Sequence, residues 1–179
     1  VLHDVNLDIA PGRFIGIVGH TGSGKSTLLS LLLRFYEAPA GSLFMDGVAP
    51  SEMGDEAFRR AVGLVPQDPF LLAASVRDNI DMGRGLSQAE IETAARAAHC
   101  HDFITQLEQG YDTLLGEGGA RLSVGQKQLV TLTRLLLAKP EVWLLDEPTA
   151  AMDDMTERKC INALKAVIRP EHTVVLVTH

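Results

Sequence analysis

A chain of 179 residues, with 46% hydrophobic and 22% charged side chains, carries enough apolar surface for one buried core, which excludes a disordered segment and suits a single domain. Its net charge of -7 and pI near 5.3, without a run of Lys or Arg, argue against nucleic acid as the main partner, because neutralising a phosphate backbone takes clustered cations. No apolar stretch approaches the roughly 20 residues that cross a bilayer, no signal peptide opens the chain, and Cys100 and Cys160 form no C-x-x-C pair, so a reducing compartment suits it better than a disulfide framework.

Val5, Leu7 and Ile9 alternate with Asn6 and Asp8, the period-two pattern of a half-buried strand. After the Pro11-Gly12 turn, Phe14-Ile15-Gly16-Ile17-Val18 reads as a central strand, apolar on both faces. A glycine-rich loop follows, then a helix from Lys25 to about Phe35. Leu43 to Met45 is a short strand before the Asp46-Gly47 turn, and Ala61 to Val65 is another strand, ended by Pro66. From about Asp68 to Gly110 the pattern is helical, with Ser87-Gln88-Ala89-Glu90 as a capping box. Within it, His99-Cys100-His101 does not read as a metal site, since successive residues point to different sides of a helix.

A helix from Ser123 to about Leu137 stops at Lys139-Pro140, and Val142 to Leu145 is a buried strand running into Asp146-Glu147. The last helix groups Cys160, Ile161, Leu164, Val167 and Ile168 on one face, and Thr173 to Val177 is the final strand. Strands alternating with helices predict an α/β fold with a parallel sheet and right-handed crossovers. Residues 1–67 and 136–179 are expected to form the core, with 68–135 as an inserted helical subdomain. The chain opens on one strand pattern and stops just after another, so both ends are expected to be cut from something longer.

Gly19-His20-Thr21-Gly22-Ser23-Gly24-Lys25-Ser26 matches G-x-x-x-x-G-K-[ST] in full, between a strand and a helix as that motif requires. Glycines let the backbone curl so that successive amides face phosphate oxygens, and the helix N-terminus adds its positive dipole end. Lys25 is expected to reach the β- and γ-phosphates and Ser26 to ligate Mg²⁺, with Thr27 completing the nucleotide-binding run. A bland glycine-rich turn is disfavoured by the flanking elements. Asp146 and Glu147 stand at the carboxyl end of a predicted parallel strand, where such sheets bind ligands. Asp146 is expected to hold Mg²⁺, through water, and Glu147 to polarise a water aimed at the γ-phosphate.

Leu122-Ser123-Val124-Gly125-Gln126 resembles the LSGGQ signature of ABC ATPases and lies upstream of the Walker B strand, as in that family. With Gln67 as the Q-loop, Ala150-Ala151-Met152-Asp153 as the D-loop and His179 as the H-loop, the family order is complete and covers essentially the whole chain. The resemblance implies a phosphate-loop ATPase core, RecA-like, with an antiparallel β edge. It implies ATP and Mg²⁺ as cofactors, Gln67 on Mg²⁺ or the attacking water, and His179 on the γ-phosphate. It also implies Ser123, Val124, Gly125, Gln126 and Asp153 at a nucleotide held by an opposite subunit. The residues agree at one point: Ser123-x-x-Gln126 is itself a capping box, so a helix begins there with its dipole facing outward, an anion site. Gly125 permits close backbone approach, while Val124 stands where the family more often has Gly.

Pro66-Gln67-Asp68-Pro69-Phe70-Leu71-Leu72 with Val76-Arg77-Asp78-Asn79-Ile80, and Tyr111-Asp112-Thr113 with Gly116-Glu117-Gly118-Gly119, resemble segments of ABC exporters. The family then implies a membrane domain, usually on the same polypeptide and touched by Glu117. It implies a second ATPase domain as homo- or heterodimer partner, and a place on the cytoplasmic face of the cell membrane. Three rivals remain at this point: a soluble ABC ATPase acting on DNA or ribosomes, a phosphate-loop kinase or GTPase, and a catalytically weak half of a heterodimer.

Overall fold

The structure, a computed structural model, describes residues 2–150 and 152–178, so Ala151 and His179, both given roles above, lie outside the described residues. The chain divides into two compact units. The first takes the chain up to Leu64, Pro140–Glu147 and the chain from Arg169 onward. Its elements are β1 (Phe14–Val18), α1 (Lys25–Leu32), α2 (Asp55–Ala61), β2 (Val62–Val65), β3 (Val142–Asp146) and β4 (Thr173–Thr178). The four strands form one sheet in the order β1-β4-β3-β2. β1 and β3 both run parallel to β4, with Gly16 opposite Leu176 and Leu144 opposite Val175.

The core of this unit gathers Leu29 from α1, Phe58 from α2, Val62, Leu144, Val175 and Val177. Each such side chain contributes about 1.5–3 kcal/mol by leaving water. Trp143 is buried, donates its indole N–H to the Pro140 carbonyl at 2.8 Å and stacks on His172 at 5.0 Å.

Four expectations for this unit change. β1 is an edge strand among the described residues rather than a central one, and Phe14 and Val18 are 57% and 71% exposed. An unbroken apolar run does not distinguish a strand covered on both sides from one that pairs on one side only. Residues 5–9 form no strand, and Val5 and Leu7 are half exposed. In 43–48 the antiparallel edge is reduced to one bridge, Met45 to Val48. A period-two pattern gains a strand's stability only when a neighbour supplies the ladder. Finally, Ala61 ends α2, so the strand begins at Val62. α2 itself is favoured by Asp55 and Glu56 in its first turn and Arg59 and Arg60 in its last, which suit the helix dipole and form i,i+4 pairs.

The second unit, Val65–Lys139 and Pro148–Ile168, is helical. It holds α3 (Val76–Asp81), α4 (Gln88–Ala97), α5 (His101–Thr105), α6 (Val124–Ala138) and α7 (Asp154–Val167). α6 packs against α3, α4 and α7, and its residues from Gln128 to Thr133 are all buried, as a helix surrounded by others requires. Both expected capping boxes form, at Ser87–Glu90 and Ser123–Gln126, and a third forms at Ser75–Asp78. Lys139 takes a left-handed conformation after α6, and Pro140 prevents the helix from resuming. His99 makes the left-handed turn between α4 and α5. Cys100 beyond it is buried against the Thr133 hydroxyl at 3.2 Å, and burial pushes its thiol up to about 12. His101 Nδ1 lies 2.9 Å from the Tyr111 hydroxyl.

Candidate nucleotide site

β1 delivers the chain into the loop 19–24, and α1 leaves it. Gly24 is the residue before α1 and has φ 96°, a left-handed backbone that glycine adopts at little cost. No side chain caps the helix, so its first-turn amides are not taken by one. The loop is closed by the Ser23 amide on the His20 carbonyl at 3.1 Å. The Lys25 ammonium lies over it, donating to the carbonyls of Gly19 at 2.5 Å and His20 at 3.1 Å. His20, Thr21, Gly22, Ser23 and Ser26 are exposed, while Lys25 and Thr27 are half-buried. The Lys25 ammonium is thus held by two backbone carbonyls of the loop, a cation positioned at a helix start where a polyanion can bind.

Asp146 ends β3, one strand away from β4 and two from β1. Desolvation raises its carboxyl above the usual range, the neighbouring Glu147 charge raises it further, and Lys25 opposes both. Lys25 and Glu147 therefore both act electrostatically on Asp146 within the first unit. Glu147 has φ 43°, left-handed for a residue with a Cβ, and its amide donates to the Val177 carbonyl at 3.0 Å. Such a backbone costs roughly 1–3 kcal/mol and persists where the surroundings dictate it, often at functional sites.

The other expected residues lie in the second unit. Ser123 Oγ accepts from the Gln126 amide at 3.2 Å, and Gln126 Oε1 accepts from the Ser123 amide at 2.9 Å, so α6 begins on a satisfied reciprocal cap. Ser123 and Val124 are exposed. Gly125 is buried, and a Cβ on it would stand 2.5 Å from Thr156 Cγ2 of α7. The close approach that Gly125 permits is thus to a helix of its own unit. Asp153 caps α7, accepting from the amides of Met155 and Thr156 and from the Thr156 hydroxyl at 2.7 Å. Gln67 is exposed.

Residues that carried no expectation brace the segment after Gln67. Arg134 donates to the Phe70 carbonyl at 2.7 Å and to Asn79 Oδ1 at 2.6 Å, and Asn79 bonds both the amide and the carbonyl of Leu72. Gln128 of α6 donates to the Pro66 carbonyl at 2.7 Å. The only local signal for these was a polar residue set among apolar ones. The two exporter-like stretches also meet: Arg77 pairs with Asp112 at 3.1 Å, the Val76 amide donates to the Thr113 carbonyl, and Leu115 bonds Ala74. Phe70, Leu72 and Leu114 remain exposed in that region.

A parallel sheet with a phosphate loop leading into a helix and a carboxylate at the end of another strand of the same sheet defines a phosphate-loop nucleotide hydrolase. The chain belongs to the ABC transporter family, whose model matches residues 2–150. It is 41% identical over 97% of its length to an ATM1-type heavy metal exporter of Novosphingobium aromaticivorans, covering 29% of that protein. It is 40% identical over 98% of its length to ABC transporter B family member 3 of Dictyostelium discoideum, covering 12% of it. The solved structure of a bacterial Atm1-family ABC exporter with ATP bound superposes with a TM-score of 0.91 at 40% identity, covering 99% of this chain and 31% of that one. The chain is accordingly an ATP-binding, ATP-hydrolysing domain of the kind found in exporters, and these likenesses do not favour the soluble or kinase-like readings. It spans less than a third of the length of each of these relatives.

Proposed function

We propose that this domain powers export across a membrane, as the cytoplasmic-face motor of a transporter whose membrane domain lies on the same polypeptide. The observation that carries the catalytic half of this reading is Asp146 at the end of β3, its carboxyl raised by burial and Glu147 and lowered by Lys25 of the phosphate loop, whose helix starts uncapped. The loop from Gly19 to Thr27 holds the triphosphate of ATP through backbone amides and Lys25. Ser26 and Asp146 are hard oxygen donors that suit Mg²⁺, and no cluster of three or more His, Cys, Asp or Glu residues occurs among the described residues, so the remaining ligands come from phosphate and water. Bound Mg²⁺ neutralises phosphate charge. Glu147 takes a proton from the attacking water, Gln67 orients that water or the ion, and His179 contacts the γ-phosphate. Residues 68–135 act as the signature subdomain. Its box consumes the amides of Ser123 and Gln126, and those of Val124 and Gly125, with Asp153 nearby in sequence order to α7, are offered to the nucleotide of a second copy or a related domain. The exposed Phe70, Leu72 and Leu114, together with Glu117, face the membrane domain.

The test is nucleotide binding and phosphate release by the full-length protein. Lys25→Ala is expected to lose ATP binding. Glu147→Gln is expected to keep binding and lose turnover by about 10²–10⁴, the usual worth of a general base. Normal turnover in Glu147→Gln would remove that residue from the role.

A further inference from the structure

Gln128 lies on the second turn of α6 with 3% of its surface exposed. Its Nε2 donates to two successive carbonyls, Pro66 at 2.7 Å and Gln67 at 3.4 Å. Its Oε1 is buried with no hydrogen-bond partner. Exchanging the two ends of the amide would set an acceptor against two acceptors, so the backbone at Pro66 and Gln67 dictates the orientation. Its donor end is satisfied and its acceptor end is not, so the side chain serves the Pro66 and Gln67 carbonyls at the expense of one stranded oxygen of its own.

We propose that Gln128 is a positioning residue for Gln67. It grips the two peptides that flank Gln67, Pro66–Gln67 and Gln67–Asp68, and so sets the direction in which the exposed Gln67 side chain leaves the chain. The grip comes from α6, whose first turn is the Ser123–Gln126 cap. Gln67 and the signature cap therefore hang on one helix within the second unit, and a displacement of α6 carries both. This rests on the reading of Gln67 as a residue of the hydrolytic site.

The experiment is a double-mutant cycle in the full-length protein, with kcat and KM for ATP hydrolysis and Tm measured for each member. Gln128→Met is expected to leave KM unchanged, to lower Tm modestly because the Pro66 and Gln67 carbonyls lose their donor, and to lower kcat on the order of tenfold, the scale of a misplaced group that still binds. In a Gln67→Ala background the same substitution is expected to cost nothing further, because its effect runs through Gln67. Should Gln128→Met fail to fold, Gln128→Leu is read in the same way. An equal loss of kcat in both backgrounds or an unchanged kcat would overturn the positioning role while leaving the assignment of Gln67 standing. If Gln67→Ala alone kept full turnover, the assignment of Gln67 would fall and the proposal with it.

Discussion

At Asp146 burial and charge work against ionisation. Its carboxyl sits above the usual range first through desolvation and then through Glu147, so the folded protein binds that proton more tightly than the unfolded chain. The sign follows by linkage. A raised native pKa means that stability is lost as pH rises through the window between the ordinary value of 3.8 and the native one, and the loss is complete above it. Asp146→Asn should accordingly melt at a higher temperature than the wild type at neutral pH, with the gap closing as the pH falls below that window. ATP hydrolysis should be lost in the same variant. Thermal melts across pH would check the first part, and an equal or lower Tm for the Asn variant at neutral pH would contradict it. Glu147, in its left-handed backbone, is a second local cost at the same strand end. The motif in the sequence announced these two acids; the cost at each comes from what surrounds it.

Among the elements, α6 shows how local and tertiary causes divide. Its start was readable from Ser123 and Gln126, because a capping box is made by residues three apart and needs no partner from elsewhere. Its stop was readable from Lys139-Pro140. Gly125 was readable only as a place where something comes close, and the partner proves to be the Thr156 methyl of α7, thirty-one residues further on (156 − 125 = 31). Gly125→Ala would push a methyl group to 2.5 Å from Thr156 Cγ2, and Thr156 is held by its hydroxyl on Asp153 at 2.7 Å, so it does not turn away freely. The expected cost is about 1–3 kcal/mol, the usual range for overpacking. Adding Thr156→Ser removes the obstructing methyl and should restore most of the loss in a denaturant melt. Failure of that rescue would place the cause outside this contact. β1 makes the opposite case: its five apolar residues predicted a strand correctly, and the sheet order then put it at an edge.

On the scale of the whole molecule, the relatives are several times longer than this chain, and the nucleotide site proposed above is one shared between two domains. Two populations of full-length protein would test it. Pairs in which one chain carries Lys25→Ala and the other Ser123→Arg should retain ATP hydrolysis, because one of the two composite sites is left whole. Pairs of wild type with a chain carrying both substitutions should hydrolyse no ATP, because each composite site then contains one lesion. Equal activity in the two populations would mean that each nucleotide is served by a single chain.

Much of the site could be read before any fold was known. The phosphate loop, the acids after β3 and the capped signature helix are written in contiguous residues, since each depends on backbone geometry over one turn or one strand end. The cargo is not written here at all. What sequence patterns could not convey were the relations made across long separations: which strand lies at the edge, whether residues 5–9 find a ladder partner, what Gly125 makes room for, and that Gln128 grips the backbone at Gln67 from sixty-one residues away. Those depend on which surfaces the packed chain brings within van der Waals or hydrogen-bond reach, and a one-dimensional pattern carries the capacity for such contacts without naming the partner.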